Sequence, residues 1–249
     1  MTRNDARDSD AIRTVTVETG FQHYPEGSVL YGCGKTRLLI SASVEAGVKP
    51  FLTGSGKGWI TSEYEMHPRA NRERQRREGR RIQPSGRTQE IQRLIGRALR
   101  AAVHLKKLGE RTITVDCDVL DADGGTRTAA ITGGYIALVL ALDGLRKRGL
   151  VEPGVLREPL AAVSVGLVNG KAMLDLCYAE DSNAQVDLNV VATQSGSLIE
   201  VQGTAEHAPV TRAQFDRLVD LALKGTSELI AVQNRVLERA EIDVTRLLG

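Results

Sequence analysis

The stretch from Asp116 to Thr128 places the strongest constraint on how this chain can fold. It reads Asp-Cys-Asp-Val-Leu-Asp-Ala-Asp-Gly-Gly-Thr-Arg-Thr. The run 112–119 is rich in β-branched residues and predicts a strand, while the apolar run 129–145 predicts a buried helix. Between them Gly124-Gly125 allow positive φ, so the backbone can turn sharply and stay uncovered.

A strand, a glycine turn and a helix start form a favourable place to hold an anion. The first N–H groups of a helix have no partners within the helix, and the helix dipole adds positive charge there. Thr126 can donate a hydroxyl hydrogen bond, and Arg127 can donate two N–H groups to phosphate oxygens. A simple turn with a solvated arginine fits the stretch equally well. No Gly-Lys-Ser/Thr follows, which excludes a Walker loop.

Composition indicates a soluble globular protein of one large domain or two small ones. The chain has 249 residues, of which 41% are hydrophobic and 26% charged, and a net charge of +2. No apolar run of membrane-spanning length is expected, and the polar N-terminus is not typical of a signal peptide. Three widely spaced cysteines favour a reducing cytoplasm, and four scattered histidines give little support to a histidine metal site.

Arginine is concentrated in one strip, residues 69–81. The strip has seven arginines and two glutamates, while the whole chain carries a net charge of only +2. It has no apolar stripe and cannot be a core helix. A binding surface for nucleic acid is favoured, although a solvated loop or a contact with an acidic protein would fit the same charge. The arginines are Arg69, Arg72, Arg74, Arg76, Arg77, Arg80 and Arg81.

A second arginine is expected at a helix start. Apolar residues at helical spacing predict one amphipathic helix over 88–108. Arg87 therefore lies at a helix N-terminus, which is unfavourable for a cation unless an anion lies between it and the helix.

The remaining pattern predicts an α+β chain. Strands are expected at 12–19, 29–31, 36–45 and 61–66 with a loop at 51–60, and at 161–168, 172–178, 186–193 and 198–202 after a linker at 153–159. Asn169-Gly170 indicates a hairpin, Gly133-Gly134 indicates close helix packing, and the helix 211–238 has a potential break at Gly225. Strands followed by helices occur twice, so two similar halves are expected within one domain, 1–249: residues 10–150 and 160–240.

Four carboxylates lie close together in the second half, at Asp175, Glu180, Asp181 and Asp187. Carboxylates brought together at strand ends suit Mg²⁺ or can supply a general acid. A polar hairpin loop is the alternative. Together with the anion site, Arg87 and the arginine strip, the carboxylates favour phosphoryl transfer on a nucleic acid, because cations would hold two anionic reactants together.

Five ordered motifs resemble those of the ribonuclease PH family of phosphate-dependent exoribonucleases, which trim transfer RNA 3′ ends. They are Arg3-Asn-Asp5, the run 85–97, the run 116–128, Glu180-Asp-Ser182 with Val186-Asp187, and the run 200–206. The resemblance covers most of the chain. It implies the α+β fold of the second domain of ribosomal protein S5, assembled as a homohexamer, a trimer of dimers.

The resemblance also implies roles for residues. Arg87, Gly125, Thr126 and Arg127 would bind the attacking inorganic phosphate, and Asp181 and Asp187 would hold Mg²⁺, one of them acting as the acid. The arginine strip would guide tRNA precursors and other RNA 3′ ends. The chain departs from the family at Cys177, where an acid is usual. Two other interpretations are a non-catalytic RNA-binding ring subunit and a small-molecule kinase of related fold.

Overall fold

Two sheets, each formed by one half of the chain, build the molecule in a computed structural model that describes residues 3, 5–78, 83–205 and 209–249. The first sheet has the order β1-β2-β3-β5-β4, and only the β4–β5 pair is parallel. The second is antiparallel with the order β7-β6-β8-β9. The strands are β1 (Val15–Thr19), β2 (Gly27–Cys33), β3 (Thr36–Ala46), β4 (Trp59–Met66), β5 (Arg111–Asp121), β6 (Leu160–Val168), β7 (Lys171–Leu174), β8 (Val186–Thr193) and β9 (Leu198–Ala205).

Helices pack on both sheets, which confirms the predicted α+β class. The helices are α1 (Gly86–Ala101), α2 (Leu105–Leu108), α3 (Thr126–Lys147), α4 (Tyr178–Asp181) and α5 (Arg212–Arg239), with short 3₁₀ turns at Pro50–Leu52 and Val244–Arg246. Helices α1 and α3 pack on the first sheet, and α5 packs on β6, β7 and β8 of the second sheet. The hairpin at Asn169-Gly170 is confirmed, since β6 and β7 pair on either side of it.

Helix α3 lies at the centre of the core. It packs on β2, β3 and β5 of the first sheet and on β6 of the second. Close packing at Gly133 is confirmed, because a Cβ there would lie 2.6 Å from Ile40 Cδ1. By length and mean hydropathy (1.6) α3 could cross a membrane, contrary to the expectation from sequence, but 89% of that apolar segment is buried inside the protein. Burial of this kind is typical of the core helix of a globular domain.

The single helix predicted over 88–108 is wrong. Residues 102–104 break it into α1 and α2, because their backbone groups bond to the segment after α3 instead. Val103 forms a bridge with Leu156, and the His104 N–H donates to the Val155 carbonyl at 2.8 Å. A sequence pattern cannot show this competition, since the partner segment lies some fifty residues away.

Three further boundaries were also mispredicted. The strand expected over 172–178 ends at Leu174, because Asp175 takes a left-handed conformation with φ 54°. The potential break at Gly225 does not occur and the helix is continuous, since buried residues on both sides of the glycine pack on the second sheet. The loop expected over 51–60 contains a 3₁₀ turn and the start of β4.

Candidate active site

The turn between β5 and α3 has the backbone geometry that the sequence predicts for an anion cradle. Gly124 and Gly125 have φ of 79° and 65°, and Gly125 is the residue that precedes the first turn of α3. No side chain of the described residues caps that turn. Its backbone N–H groups can therefore bind an anion, with the dipole of a 22-residue helix behind them.

Side chains beneath the cradle hold its shape. The Thr36 hydroxyl donates to the Gly124 carbonyl at 2.8 Å and accepts from the Asp123 N–H at 2.9 Å. Arg13 donates from Nη1 to the Asp123 carbonyl at 2.8 Å and from Nη2 to Asp175 Oδ1 at 2.7 Å. These contacts fix the Asp123 and Gly124 carbonyl groups on Arg13 and Thr36.

Tyr64 on β4 supports the predicted phosphate ligand Thr126. Its hydroxyl lies 2.8 Å from Thr126 Oγ1, and its side chain is buried. When Tyr64 donates this bond, the Thr126 hydroxyl keeps its own hydrogen for an anion. Burial raises the pKa of Tyr64, while the bond to Thr126 and the charges of Arg87 and Arg127 act in the opposite direction. Both predicted arginines therefore act electrostatically on this part of the site.

The two arginines reach the cleft from different elements. Arg127 lies in the first turn of α3, and Arg87 is exposed in the first turn of α1, where the Ser85 hydroxyl caps the helix by accepting from the Thr88 N–H at 3.2 Å. Among the described residues the contacts of Arg127 are long, with Gln202 Oε1 at 3.5 Å and Glu90 Oε2 at 3.8 Å. Contacts of this length are weak, so an anion can compete for the guanidinium.

A cleft of about 1260 Å³ brings the predicted residues together. Arg87, Gly125, Thr126 and Arg127 line it along with Asp181 and Asp187. From the arginine strip, Arg72 and Arg76 also line the cleft, whereas Arg69, Arg74 and Arg77 are not among its lining residues. Arg77 instead acts on Asp118 of β5, whose pKa is raised by burial and by Glu65 but lowered by this arginine. The predicted RNA-binding residues Arg80 and Arg81 lie outside the described residues.

Only two of the four acidic residues belong to the cleft. Asp181 ends α4 and Asp187 lies on β8. Burial and the charge of Asp187 raise the pKa of Asp181, and Arg127 and Arg87 act against that shift. The described residues contain no group of three or more histidine, cysteine or acidic side chains placed to hold a metal ion. The pair nevertheless fits Mg²⁺, which commonly uses one or two carboxylates together with waters and substrate phosphates.

The other two carboxylates have structural roles that sequence reasoning missed. Asp175 is 3% exposed and bonds to Arg13 through both its oxygens, by way of the guanidinium and the backbone N–H. Glu180 accepts two hydrogen bonds from Arg3, at 2.8 and 2.7 Å. Arg3 also donates to the Asp175 carbonyl at 3.0 Å. The motif Arg3-Asn-Asp5 was one of those that resemble the family, but no pattern in the sequence identified the partners of Arg3.

Cys177 lies immediately before α4 and not on a strand, contrary to the sequence-based prediction. Its N–H donates to Glu180 Oε2 at 3.0 Å, so the residue serves to start the helix that carries Asp181. Burial raises the pKa of its thiol. The Asp181–Asp187 pair is present without a carboxylate at this position.

Comparison with known sequences places both halves in one family. The family model described as 3′ exoribonuclease family, domain 1, matches residues 11–142, and domain 2 matches residues 158–225. Ribonuclease PH of Crocosphaera subtropica is 55% identical over 96% of this chain and 98% of its own length. Ribonuclease PH of Moorella thermoacetica is also 55% identical, over 95% of each chain.

Solved structures share the fold at lower sequence identity. Rice (Oryza sativa) Rrp46 matches with a TM-score of 0.76 and 18% identity, covering 94% of this chain and all of that one. A chain of the Archaeoglobus fulgidus exosome with RNA bound to the active site matches with a TM-score of 0.72 and 22% identity, covering 96% and 92%. The two-sheet architecture is therefore that of known proteins.

Proposed function

Because the chain belongs to the ribonuclease PH family of 3′ exoribonucleases, we propose that its cleft is the place where inorganic phosphate attacks the 3′ end of an RNA. The protein is a phosphorolytic 3′ exoribonuclease, a phosphate-dependent tRNA nucleotidyltransferase. One observation carries the assignment of the site. A cationic anion cradle and a carboxylate pair line the same cleft.

In the proposed reaction, phosphate lies against the first turn of α3. The N–H groups of that turn, the Thr126 hydroxyl and the guanidinium groups of Arg127 and Arg87 bind its oxygens. An oxygen of the phosphate attacks the phosphorus of the last phosphodiester, and the bond from that phosphorus to the 3′ oxygen of the penultimate nucleotide breaks. The products are a nucleoside 5′-diphosphate and an RNA one residue shorter. Since a diester is exchanged for a diphosphate, the reaction is readily reversible.

The cations lower the barrier because two anions must approach each other. Each charged hydrogen bond to phosphate contributes about 1.5–3 kcal/mol. The leaving 3′ oxygen needs a proton or a nearby cation, and the carboxylate pair in the same cleft would donate the proton or hold a metal ion. Of the pair, Asp181 has a pKa raised by burial and by Asp187, which is the direction that a general acid requires.

Mg²⁺ is proposed as the cofactor, held by Asp181 and Asp187. When bound it would stabilise negative charge on the reacting oxygens. The support is the chemistry of the pair, two hard oxygen ligands that line one cleft with the anion cradle. Calorimetric titration of the metal-free protein with MgCl₂ should show binding that is weakened in Asp187→Asn. Equal binding by the variant would contradict this assignment.

The remaining proposals concern substrate, assembly and compartment. Arg72 and Arg76 in the cleft favour a path for the RNA along the arginine strip toward the cradle, with tRNA precursors and other RNA 3′ ends as substrates. A homohexamer, a trimer of dimers, is proposed from the family and is testable by light-scattering mass. A cytoplasmic location is supported by three cysteines that form no disulfide.

The decisive assay follows a tRNA with a 3′ extension in the presence of Mg²⁺, with and without phosphate. Release of nucleoside diphosphates only when phosphate is present is expected. Arg127→Ala should lower turnover by at least tenfold and raise the phosphate concentration needed, while RNA binding persists. Arg37→Ala removes an exposed arginine on β3 and should leave turnover unchanged. Release of monophosphates without phosphate would mean hydrolysis, and full turnover by Arg127→Ala would refute the cradle assignment.

A further inference from the structure

One aromatic ring in the cleft is largely exposed and lies outside the hydrophobic core. The chain contains only three Phe, five Tyr and one Trp. Among the described residues two of these line the cleft, Tyr64 and Tyr178. Tyr64 is 3% exposed and its hydroxyl is bonded to Thr126, whereas Tyr178 is 63% exposed. An exposed ring gains nothing from the core, so its presence in a cleft points to a ligand.

The position of Tyr178 is fixed relative to both parts of the reaction site. It begins α4, and Asp181, three residues later, ends the same helix, so the two side chains lie near one face. Its backbone lies directly against the cradle, because a Cβ on Gly124 would be 2.8 Å from the Tyr178 nitrogen. The helix is anchored from behind by the double hydrogen bond between Arg3 and Glu180. The ring is therefore presented on a fixed element next to the cradle and the carboxylates.

The chemistry around the ring is that of a nucleotide site. Arginines in the cleft can bind phosphates, and Tyr178 supplies a flat apolar ring on which a base can stack. Stacking on an aromatic ring holds any of the four bases, because each has a π face. A 3′ exonuclease that removes one nucleotide after another meets every base in turn, and this kind of contact suits all of them.

We propose that Tyr178 stacks on a base next to the scissile phosphodiester and so positions the RNA 3′ end for attack. This inference rests on the proposed function of the cleft. Stacking on the ring explains why an aromatic side chain stays exposed at this point, and it requires the ring but not the hydroxyl. Tyr178 is a binding residue for the RNA and takes no part in bond making.

The test measures RNA binding in buffer that contains Mg²⁺ but no phosphate, where phosphorolysis cannot proceed. Fluorescence anisotropy with a labelled RNA should show affinity reduced roughly five- to hundredfold in Tyr178→Ala. Tyr178→Phe should bind within about twofold of the unaltered protein, because it keeps the ring. Tyr24→Ala removes a ring that is 99% exposed and is not among the residues lining the cleft, and should have no effect.

A thermodynamic cycle separates stacking from any other effect. The same proteins are measured with RNAs that carry an abasic residue at the last or the second-to-last position. Loss of the base at the stacked position should weaken RNA binding by the unaltered protein. The same loss should not weaken RNA binding by Tyr178→Ala any further. The position at which this occurs identifies the stacked nucleotide. The half-saturating phosphate concentration in turnover should not change in Tyr178→Ala.

Three outcomes would overturn the inference: full affinity in Tyr178→Ala, an equal loss with abasic RNA at both positions, or failure of Tyr178→Phe to restore binding. Thermal unfolding of each variant confirms that the fold is intact, and an exposed residue should tolerate the changes. Turnover of the unaltered protein is measured separately. Absence of phosphate-dependent release there would contradict the proposed function, while the binding cycle reports on Tyr178 alone.

Discussion

Replacing Arg13 by methionine should destabilise the protein and loosen the cradle. Arg13 is 4% exposed, and its guanidinium joins Asp175 at 2.7 Å to the Asp123 carbonyl at 2.8 Å. Removing one partner of a buried ion pair typically costs about 3–5 kcal/mol, since the other charge stays buried. Arg7 Nη1 remains 3.8 Å from Asp175 Oδ2 and offsets part of that cost. The expected loss is therefore at the lower end, about 3 kcal/mol at pH 7.

The loss of stability in Arg13→Met should depend on pH. Burial would raise the pKa of Asp175, but the charge and hydrogen bonds of Arg13 hold it below its ordinary value of 3.8. The pair thus stabilises the folded protein above pH 3.8, and the contribution is lost as the pH falls through the lower, folded pKa. In Arg13→Met the charge and side-chain hydrogen bond of Arg13 no longer oppose burial, so the pKa of Asp175 should rise even though Arg7 remains nearby. The difference in stability should then shrink as the pH falls from 7 toward 4.

Urea unfolding at one fixed protein concentration measures the free energy of unfolding at each pH. Arg37→Met is the matched control, because Arg37 pairs with Asp121 at 2.6 Å but the two side chains are 60% and 42% exposed. The free energy of unfolding of Arg37→Met should fall by less than about 1 kcal/mol. The double variant with Arg13→Met and Asp175→Asn should be more stable than Arg13→Met alone, because it leaves no carboxylate charge buried without Arg13. A loss in Arg13→Met no larger than the control, or one that does not change with pH, would refute the reasoning.

Two further predictions concern the cradle and the carboxylates. Gly124→Ala should lower turnover more than tenfold and cost about 1–3 kcal/mol, because φ is 79° and the new Cβ would meet the Leu176 carbonyl oxygen at 2.6 Å. Gly144→Ala, with nothing within 4 Å of its Cβ, should keep full turnover; equal losses would contradict the clash. Asp187→Asn should lower the pKa of Asp181, which burial and the Asp187 charge now raise, in an NMR titration of metal-free protein. An unchanged or higher pKa would show that the carboxylates do not interact.

The local part of the site could be predicted from the sequence because its chemistry is local. Gly124-Gly125 followed by Thr126 and Arg127 specifies a turn and a helix start within a few residues, and the structure has both. Arg87 was predicted at a helix start for the same reason. The break at 102–104 was missed, because it depends on a distant strand-like segment that competes for the backbone.

The partners of buried charges could not be predicted, because they are far apart in the chain. Arg13 and Asp175 are separated by 162 residues, and Arg3 and Glu180 by 177. In the sequence Asp175 and Glu180 differ in no visible way from Asp181 and Asp187. The fold determines that Asp175 and Glu180 pair with buried arginines, whereas Asp181 and Asp187 line the cleft. An alternating or helical pattern predicts which residues are buried, but it does not predict which charged side chains form pairs.

The distances between arginines and their partners differ across the site. They distinguish the arginines that hold the site together from those available to a substrate. Arg3 and Arg13 are at most 7% exposed and hold carboxylates at 2.7 Å, so an incoming anion would have to displace a desolvated partner at a cost of several kcal/mol. Arg127 is 18% exposed and its contacts are 3.5 and 3.8 Å long, so little is lost when phosphate replaces them. Because the buried pairs join the cradle to α4, the proposed phosphate at Arg127 would meet Asp181 in a geometry set before the RNA arrives.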